Sequence, residues 1–319
     1  MRKVAVVVPV YNESEVLEPF HQRLGEVLDA CPEYEFSVLY VDDGSEPAFV
    51  AQLEALRSQD ARVGVLELSR NFGKEVALSA GLDHAAGDAV ILMDADLQDP
   101  PELLPQLLEA WLAGYDVVYG QRRERRGDPA FKRVTARAFY RVLNALSEVE
   151  IPRDVGDFRL LSRRAVDALQ ALPERHRYMK GLFAWIGFPQ KAIVYDREPR
   201  AAGSTRWNYW RLWNFALEGI TSFSAAPLKF ATYLGLATST LALFYGLFML
   251  VRTLIFGNPV PGYPSLLIVV LFLGGVQLIC LGIIGEYLAR TYSESKQRAL
   301  YFVKGYHPPG AERERDGAA

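Results

Sequence analysis

The sequence predicts an α/β protein with a mostly parallel sheet, followed by two helices that cross a membrane. Two observations lead to this fold class. In the first half of the 319-residue chain, short apolar runs alternate with segments that have helical periodicity. In the second half, residues 230–251 and 266–285 carry no charged side chain.

The alternation in the first half predicts strands at residues 4–10, 36–41, 63–68, 89–93 and 116–120. Helices are predicted between them, at residues 14–30, 47–57, 74–86 and 101–112. The first strand is almost wholly apolar, which is typical of a strand buried on both faces. Strands connected by helices of this length form right-handed βαβ units and a mostly parallel sheet. Because ligands of such sheets bind beyond the carboxyl ends of the strands, we expect the functional site there.

Either uncharged run is long enough to span a hydrocarbon core of roughly 30 Å as a helix. Two buried core helices are the alternative interpretation. Two spans place both flanking segments on the same side of the membrane. Lys and Arg flank the pair on both sides, at Arg206, Arg211, Lys229, Arg290, Lys296, Arg298 and Lys304. The positive-inside rule therefore places the N-terminal domain and both termini in the cytoplasm, at the inner membrane of a bacterium.

The expected organisation has four parts. Residues 1–205 form the cytoplasmic domain, and 206–228 form amphipathic helices at the membrane interface, where three tryptophans lie three residues apart. Packing of these helices on the domain core is the alternative. Residues 229–288 hold the two spans, joined by a connector at 257–264, and 289–319 form a cytoplasmic tail.

Several function classes are excluded or disfavoured. The net charge of -3 argues against nucleic-acid binding, which needs a basic surface. The chain has no Gly-x-Gly-x-x-Gly after its first strand and no P-loop, so neither a nicotinamide enzyme nor a P-loop enzyme is indicated. Cys31 and Cys280 lie in different parts of the chain, and no disulfide is expected between them.

The strongest chemical motif begins where the strand at 89–93 ends. Asp94 and Asp96 are two residues apart in a turn, and Gln98 can add an amide oxygen. Oxygen ligands suit Mg²⁺ or Mn²⁺, which also bind substrate phosphates. A solvated turn is the alternative for an isolated Asp-x-Asp.

Polar residues also follow the first two strands. Pro9, Tyr11 and Glu13 end the first strand, where Tyr11 could stack on a nucleobase and Glu13 could bind ribose or an amide. Asp42 begins an Asp-Asp-Gly-Ser sequence whose carboxylates could accept hydrogen bonds from a base or ribose. The alternatives are a helix entry at the first position and a simple turn at the second.

Together these motifs, with Ser-Arg-Asn-Phe-Gly-Lys at 69–74 between them, resemble family 2 glycosyltransferases of GT-A fold. The spacing is similar to the branch of dolichyl-phosphate mannose synthases and bactoprenol glucosyltransferases. The resemblance implies a Rossmann-like GT-A domain. It implies a nucleotide-sugar site formed by residues of the domain and by Arg206 directly after it; the residues of the domain are Pro9, Tyr11, Glu13, Asp42, Lys74, Asp94, Ala95 and Asp96. It also assigns the metal to Asp94, Asp96 and Gln98.

The resemblance also implies an acceptor site. Arg122 and Arg133 match the arginines that hold the lipid phosphate, and both belong to a basic stretch that otherwise reads as a solvated loop. Asp157 matches an acceptor-side residue and is a candidate catalytic base. Its alternative roles are to orient Arg159 or the sugar. Arg206 belongs to a loop that would close over the donor, or to a plain linker.

The resulting hypothesis is a metal-dependent, inverting hexosyltransferase. It uses a nucleotide-sugar, with UDP-glucose favoured, and transfers the sugar to undecaprenyl phosphate at the cytoplasmic membrane face. Transfer from GDP-mannose to dolichyl phosphate is the nearest alternative. A processive synthase is disfavoured because Gly203, and not Gln, precedes the Arg206-Trp207 pair. A non-catalytic membrane scaffold is the alternative from another class, and homo-oligomerisation is left open.

Overall fold

The computed structural model describes residues 1–123, 152, 155–172, 174–175, 177–196, 221, 224–257 and 262–310. The N-terminal domain alternates strands and helices as predicted, with boundaries within about two residues for most elements. Its first part comprises β1 Arg2–Val10, α1 Ser14–Asp29, β2 Tyr34–Asp42, α2 Pro47–Gln59, β3 Val63–Leu68, α3 Lys74–His84, β4 Ala89–Leu92, a 3-10 turn Pro101–Leu103, α4 Leu104–Leu112 and β5 Val117–Arg122.

The remaining elements of the domain follow residue 154. They are β6 Val155–Ser162, α5 Arg163–Gln170, α6 Met179–Trp185 and β7 Gln190–Tyr195. The chain then forms two long helices, α7 Ala226–Phe256 and α8 Tyr263–Ser295, and returns to the domain as β8 Val303–His307.

The described strands form one sheet in the order β7-β5-β6-β4-β1-β2-β3-β8. Its centre is parallel, because β1 pairs in parallel with both β2 and β4, and β2 does so with β3. Strand β6 lies antiparallel between β4 and β5, and β8 lies antiparallel at the edge beside β3. The structure therefore confirms the α/β fold class with a mostly parallel sheet.

The core lies on both faces of this sheet. Along β1, Val4, Val6 and Val8 pack into the cluster under α1, α2 and α4, and Ala5 and Val7 pack into the cluster under α3, α5 and α6. These strand residues are 0–1% exposed. Burial on both faces explains why the first strand reads as a continuous apolar run instead of alternating with polar residues.

Helices α7 and α8 are the two candidate membrane spans. Both are long and apolar enough to cross a membrane, by length and composition. Most of their large apolar side chains face outward, as expected for helices that contact lipid. The two helices touch each other, and the Tyr287 hydroxyl near the domain-proximal end of α8 donates to the Ser224 carbonyl at 2.5 Å.

The segment after the spans differs from the tail expected at 289–319. Helix α8 continues to Ser295, and β8 extends the sheet of the N-terminal domain. Two side-chain contacts attach this segment to the domain: the Tyr301 hydroxyl donates a hydrogen bond to Asp83 at 2.9 Å, and Lys304 pairs with Glu67 at 2.8 Å. The chain between the spans and the tail is thus attached to the domain. The predicted interfacial helices lie largely outside the described residues, as do residues 258–261 of the connector.

Candidate active site

Strand β6 brings a carboxylate to the end of β4. The antiparallel register pairs Ala89 with Ser162 and Leu92 with Arg159. Asp94 and Asp157 lie just beyond the paired residues, and both contact the Lys74 ammonium. Residues more than sixty positions apart in sequence therefore meet at the sheet edge where ligands of parallel sheets bind.

Lys74 joins these two carboxylates. Its ammonium lies 2.7 Å from Asp94 Oδ2 and 2.6 Å from Asp157 Oδ2. The Lys74 side chain is 43% exposed, against 21% for Asp94 and 10% for Asp157. Burial acts to lower the pKa of Lys74, but the two carboxylates outweigh it and raise that pKa. Lys74 is therefore a partly exposed cation that bridges the two carboxylates.

More charges lie behind the bridge. Burial lowers the pKa of Arg159 to about 10, and its guanidinium stacks on the Phe183 ring at 3.7 Å and donates to the Gly156 carbonyl at 2.8 Å. Burial, together with the Asp157 charge, raises the pKa of Glu75 to about 7. Glu75 accepts a hydrogen bond from the Met179 backbone at 3.2 Å.

Asp157 is ionised in this setting. Burial opposes ionisation, but Lys74 and Lys180 hold the pKa of Asp157 well below its usual range. Its other oxygen, Oδ1, is shielded from solvent and has no hydrogen-bond partner among the described residues. A buried acceptor without a donor is rare, and it suits a hydroxyl or water of a bound substrate.

The predicted metal ligands lie together in the turn after β4. Asp96 Oδ1 accepts a hydrogen bond from the Gln98 backbone at 3.1 Å, which closes the turn. Leu97 between them has a left-handed backbone with φ 58. The donor set of two carboxylates and one amide oxygen contains no sulfur or imidazole, so it fits Mg²⁺ or Mn²⁺ better than softer metals. Burial raises the pKa of Asp94, and Lys74 opposes that rise.

Residues predicted to bind the nucleotide line the ends of β1 and β2. Tyr11 is 48% exposed, whereas Pro9 and Ala95 are buried, so any contact of these two with a donor involves little side-chain surface. Asp42 is 1% exposed, and its carboxylate accepts from the Ser45 backbone at 3.1 Å. Burial raises the pKa of Asp42.

Asn12 connects these two strand ends, a role the sequence did not suggest. Its backbone N–H donates to the Ser45 hydroxyl at 3.0 Å, and its side-chain oxygen accepts from the Glu46 backbone at 2.9 Å. Glu13 precedes α1, and its carbonyl accepts from the Val16 backbone. The two hydrogen bonds of Asn12 hold the ends of β1 and β2 together, and we call these two strand ends the rim of the site.

Arg122 ends β5 beside a buried tyrosine and aspartate. The Tyr195 hydroxyl donates to Asp99 and is itself hydrogen-bonded to Arg122. Burial acts to lower the pKa of Arg122, but Tyr195 and the acidic charges of Asp99 and Asp94 raise it. Arg122 Nε and Asp99 Oδ2 are buried and have no hydrogen-bond partner among the described residues. Sequence reasoning did not single out Tyr195 or Asp99 as site residues. Only the sheet topology, which places β7 beside β5, brings Tyr195 next to Arg122 and Asp99.

Two predicted site residues, Arg133 and Arg206, lie outside the described residues. Among those described, a group of ligand-type side chains occurs elsewhere, where oxygen or nitrogen atoms of Glu54, Glu67 and His307 lie within 4.8 Å of one another. Arg57 already pairs with Glu54, and Lys304 with Glu67. The group lies at the β3–β8 edge of the sheet, apart from the acidic turn after β4, and we do not assign the donor-site metal to it.

Comparison with protein families identifies the class of protein to which this fold belongs. Residues 5–170 match the family described as "Glycosyl transferase family 2", and residues 226–291 match the "GtrB C-terminal hairpin". The chain therefore belongs to glycosyl transferase family 2.

Similar proteins match along almost the whole chain. An uncharacterized glycosyltransferase of Synechocystis is 52% identical over 94% of this chain and 94% of its own. A bactoprenol glucosyl transferase of Shigella phage SfV is 49% identical over 95% of this chain and 98% of its own. Among solved structures, a glucosyl-3-phosphoglycerate synthase from Mycobacterium tuberculosis is similar at a TM-score of 0.48 and 21% identity, over 69% of this chain and 78% of that one.

Proposed function

We propose that the protein transfers glucose from UDP-glucose to undecaprenyl phosphate, with a divalent metal and with inversion at the anomeric carbon. The observation that carries this proposal is the position of Arg122. Its buried Nε has no partner among the described residues, and its charge interacts with Asp94 on the acidic strand end. A site for an anionic acceptor and a site for a metal-bound donor thus share one edge of the sheet. The likeness to bactoprenol glucosyl transferases favours this acceptor.

On the donor side, Asp94, Asp96 and Gln98 are the residues that would hold Mg²⁺ or Mn²⁺. A metal there supplies Lewis-acid stabilisation of the negative charge on the departing diphosphate. Tyr11 is exposed and offers a ring for the base, and the half-buried Glu13 and the buried Asp42 follow the same two strand ends. Lys74 stands beside Asp94, so its ammonium can stabilise the negative charge that develops on the diphosphate as it departs.

On the acceptor side, no strong base is needed. A phosphate monoester has a second pKa of about 6, so at neutral pH the phosphate oxygen that attacks is already largely ionised. Arg122 holds the phosphate, and a phosphate oxygen attacks the anomeric carbon as the bond to the nucleoside diphosphate breaks. The electron pair of that bond leaves with the diphosphate. Asp157, held ionised by Lys74, accepts a hydrogen bond from a sugar hydroxyl through Oδ1, which has no partner among the described residues, and so orients the sugar.

The membrane hairpin supports placing this reaction at the cytoplasmic face. Lys229 lies in the first turn of α7, Arg290 lies near the end of α8 and Lys296 follows it, so the ends of the hairpin nearest the domain carry positive charge. The positive-inside rule places those ends, and the site with them, on the cytoplasmic side.

A panel of labelled donors tests the proposal. Detergent-purified protein is incubated with undecaprenyl phosphate, Mg²⁺ or Mn²⁺, and UDP-glucose, UDP-galactose or GDP-mannose. We expect label from UDP-glucose alone to enter the organic phase. Label from GDP-mannose alone would replace the donor and favour the mannose-transferring alternative. No lipid product and no metal-dependent nucleotide binding would support the scaffold alternative.

A further inference from the structure

The loop between β3 and α3, residues 69–73, is held by the second aspartate of the Asp-Asp-Gly-Ser motif. Asp43 Oδ1 accepts a hydrogen bond from the Phe72 backbone at 2.7 Å, and Oδ2 accepts one from the Gly73 backbone at 2.9 Å. The Asp43 residue is 4% exposed. Both of its oxygens therefore face the loop, and the burial of Asp43 leaves little carboxylate surface open to a donor nucleotide.

Gly44 lets the two segments approach this closely. Its φ is +76, and a Cβ there would lie 2.3 Å from the Arg70 carbonyl carbon and 2.6 Å from the Asn71 nitrogen. No side chain fits in that space. The Asp43 carboxylate and the bare Gly44 backbone therefore cradle the loop from the end of β2.

The cradle sets the position of Lys74, which follows the loop directly. Gly73 has φ +98, and its carbonyl accepts from the Val76 and Ala77 backbones to start α3. Lys74 is the first residue of that helix, so fixing Gly73 fixes the start of the Lys74 side chain. The ammonium must reach two carboxylates at 2.7 and 2.6 Å, which leaves little tolerance for a displaced loop.

We propose that Asp43 is a positioning residue that places the Lys74 ammonium in the catalytic site, and that it makes no contact with the donor. The two aspartates of the motif then have different roles. Asp42 belongs to the rim of the nucleotide site, and Asp43 organises the loop of the neighbouring strand. The kinetic part of this inference depends on the proposed function, and the structural part does not.

A double-mutant cycle separates positioning from direct contact. The variants are Asp43→Asn, Lys74→Met and the double variant, with Asp167→Asn, whose side chain is 60% exposed, as a matched control. Asp43→Asn keeps the shape but loses one charged acceptor, and we expect kcat to fall about tenfold with little change in the KM for the donor. The double variant should be no slower than Lys74→Met alone, because both changes disable the same ammonium. Multiplied effects, or a rise confined to the donor KM, would overturn the inference.

Hydrogen–deuterium exchange of residues 69–77 provides a readout that needs no turnover. We expect faster exchange in Asp43→Asn than in the parent or in Asp167→Asn, with the rest of the sheet unchanged. Unchanged exchange in a folded Asp43→Asn protein would overturn the inference whatever the activity. If the parent transfers no sugar, the proposed function fails, and the same cycle is measured on binding of UDP with Mn²⁺.

Discussion

Replacing Lys74 with methionine should strengthen divalent metal binding while it weakens sugar transfer. The Lys74 ammonium lies 2.7 Å from Asp94 Oδ2, so it holds a carboxylate that we assign to the metal. Methionine keeps the length and apolar stem of the side chain but removes the charge. Asp94 and Asp157 then lose the cation they share, and a metal ion has no competitor for Asp94.

The size of the effect follows from the exposure of the bridge. A charged hydrogen bond is worth about 1.5–3 kcal/mol when shielded. The Lys74 side chain is 43% exposed, so solvent screening reduces the contribution to about 1–2 kcal/mol. Since about 1.4 kcal/mol is a factor of ten in affinity, the dissociation constant for Mn²⁺ should fall about tenfold.

Isothermal titration of Mn²⁺ into detergent-purified protein without donor measures this change. Lys3→Met is the control, because Lys3 is 65% exposed and pairs only with Glu35 among the described carboxylates. Glu54→Gln in both backgrounds removes any signal from the cluster that includes His307. Equal or weaker Mn²⁺ binding in Lys74→Met would refute the assignment of the metal to Asp94.

Three further predictions address other parts of the site. Tyr195→Phe removes the hydroxyl that connects Arg122 to Asp99. Because one hydrogen bond contributes about 1 kcal/mol, steady-state kinetics should show a roughly five- to tenfold higher KM for polyprenyl phosphate at nearly unchanged kcat. A change in kcat alone would contradict this prediction. Glu75 has a pKa raised to about 7, so between about pH 4.5 and pH 7 the folded protein holds a proton that the unfolded chain has released, and its stability falls as the pH rises. Chemical denaturation should show that the stability of Glu75→Gln relative to the parent increases by about 1–3 kcal/mol across this range. A difference in stability that stays constant with pH would be inconsistent with this. Gly44→Ala should cost about 2–4 kcal/mol and lower the Tm, because a left-handed alanine collides with the Arg70 backbone; a Tm equal to that of the parent would exclude the tight packing seen here.

Local patterns were sufficient to predict the central strands and the acidic turn. Residues 63–68 were predicted as a strand with the bounds of β3, since an apolar run between turn signals has one simple interpretation. Asp94 and Asp96 were predicted together because they leave the same strand. Their role as metal ligands was predicted from the oxygen donor set, from the position at a carboxyl strand end and from the family resemblance, and it stays a prediction.

Long-range pairings could not be predicted in this way. Strand β6 carries Asp157 and Arg159 in its interior, so its hydrophobic pattern is broken although the whole strand is buried. The two charges are tolerated there because Lys74 and the carbonyl of Gly156 partner them. The meeting of Asp94 with Asp157 depends on this antiparallel insertion, and a single sequence carries no signal for it.

The return of the chain after the membrane hairpin was missed for a similar reason. Strand β8 has the sequence Val-Lys-Gly-Tyr-His, which is short and has little apolar periodicity. It is stabilised by pairing with β3 and by contacts such as Lys304 with Glu67, more than two hundred residues away in sequence. Edge strands of this kind are recognised only once their partner is known.

The central claim is that a metal held at Asp94 and Asp96 drives sugar transfer to a polyprenyl phosphate. The most direct measurement compares the parent with Asp96→Ala, using labelled UDP-glucose and undecaprenyl phosphate, with Mn²⁺ or with EDTA. Circular dichroism and gel filtration confirm that the variant is folded. We predict a labelled lipid product from the parent with Mn²⁺, and none from the parent with EDTA or from Asp96→Ala. Equal product from the folded variant, or from the parent in EDTA, would contradict the account.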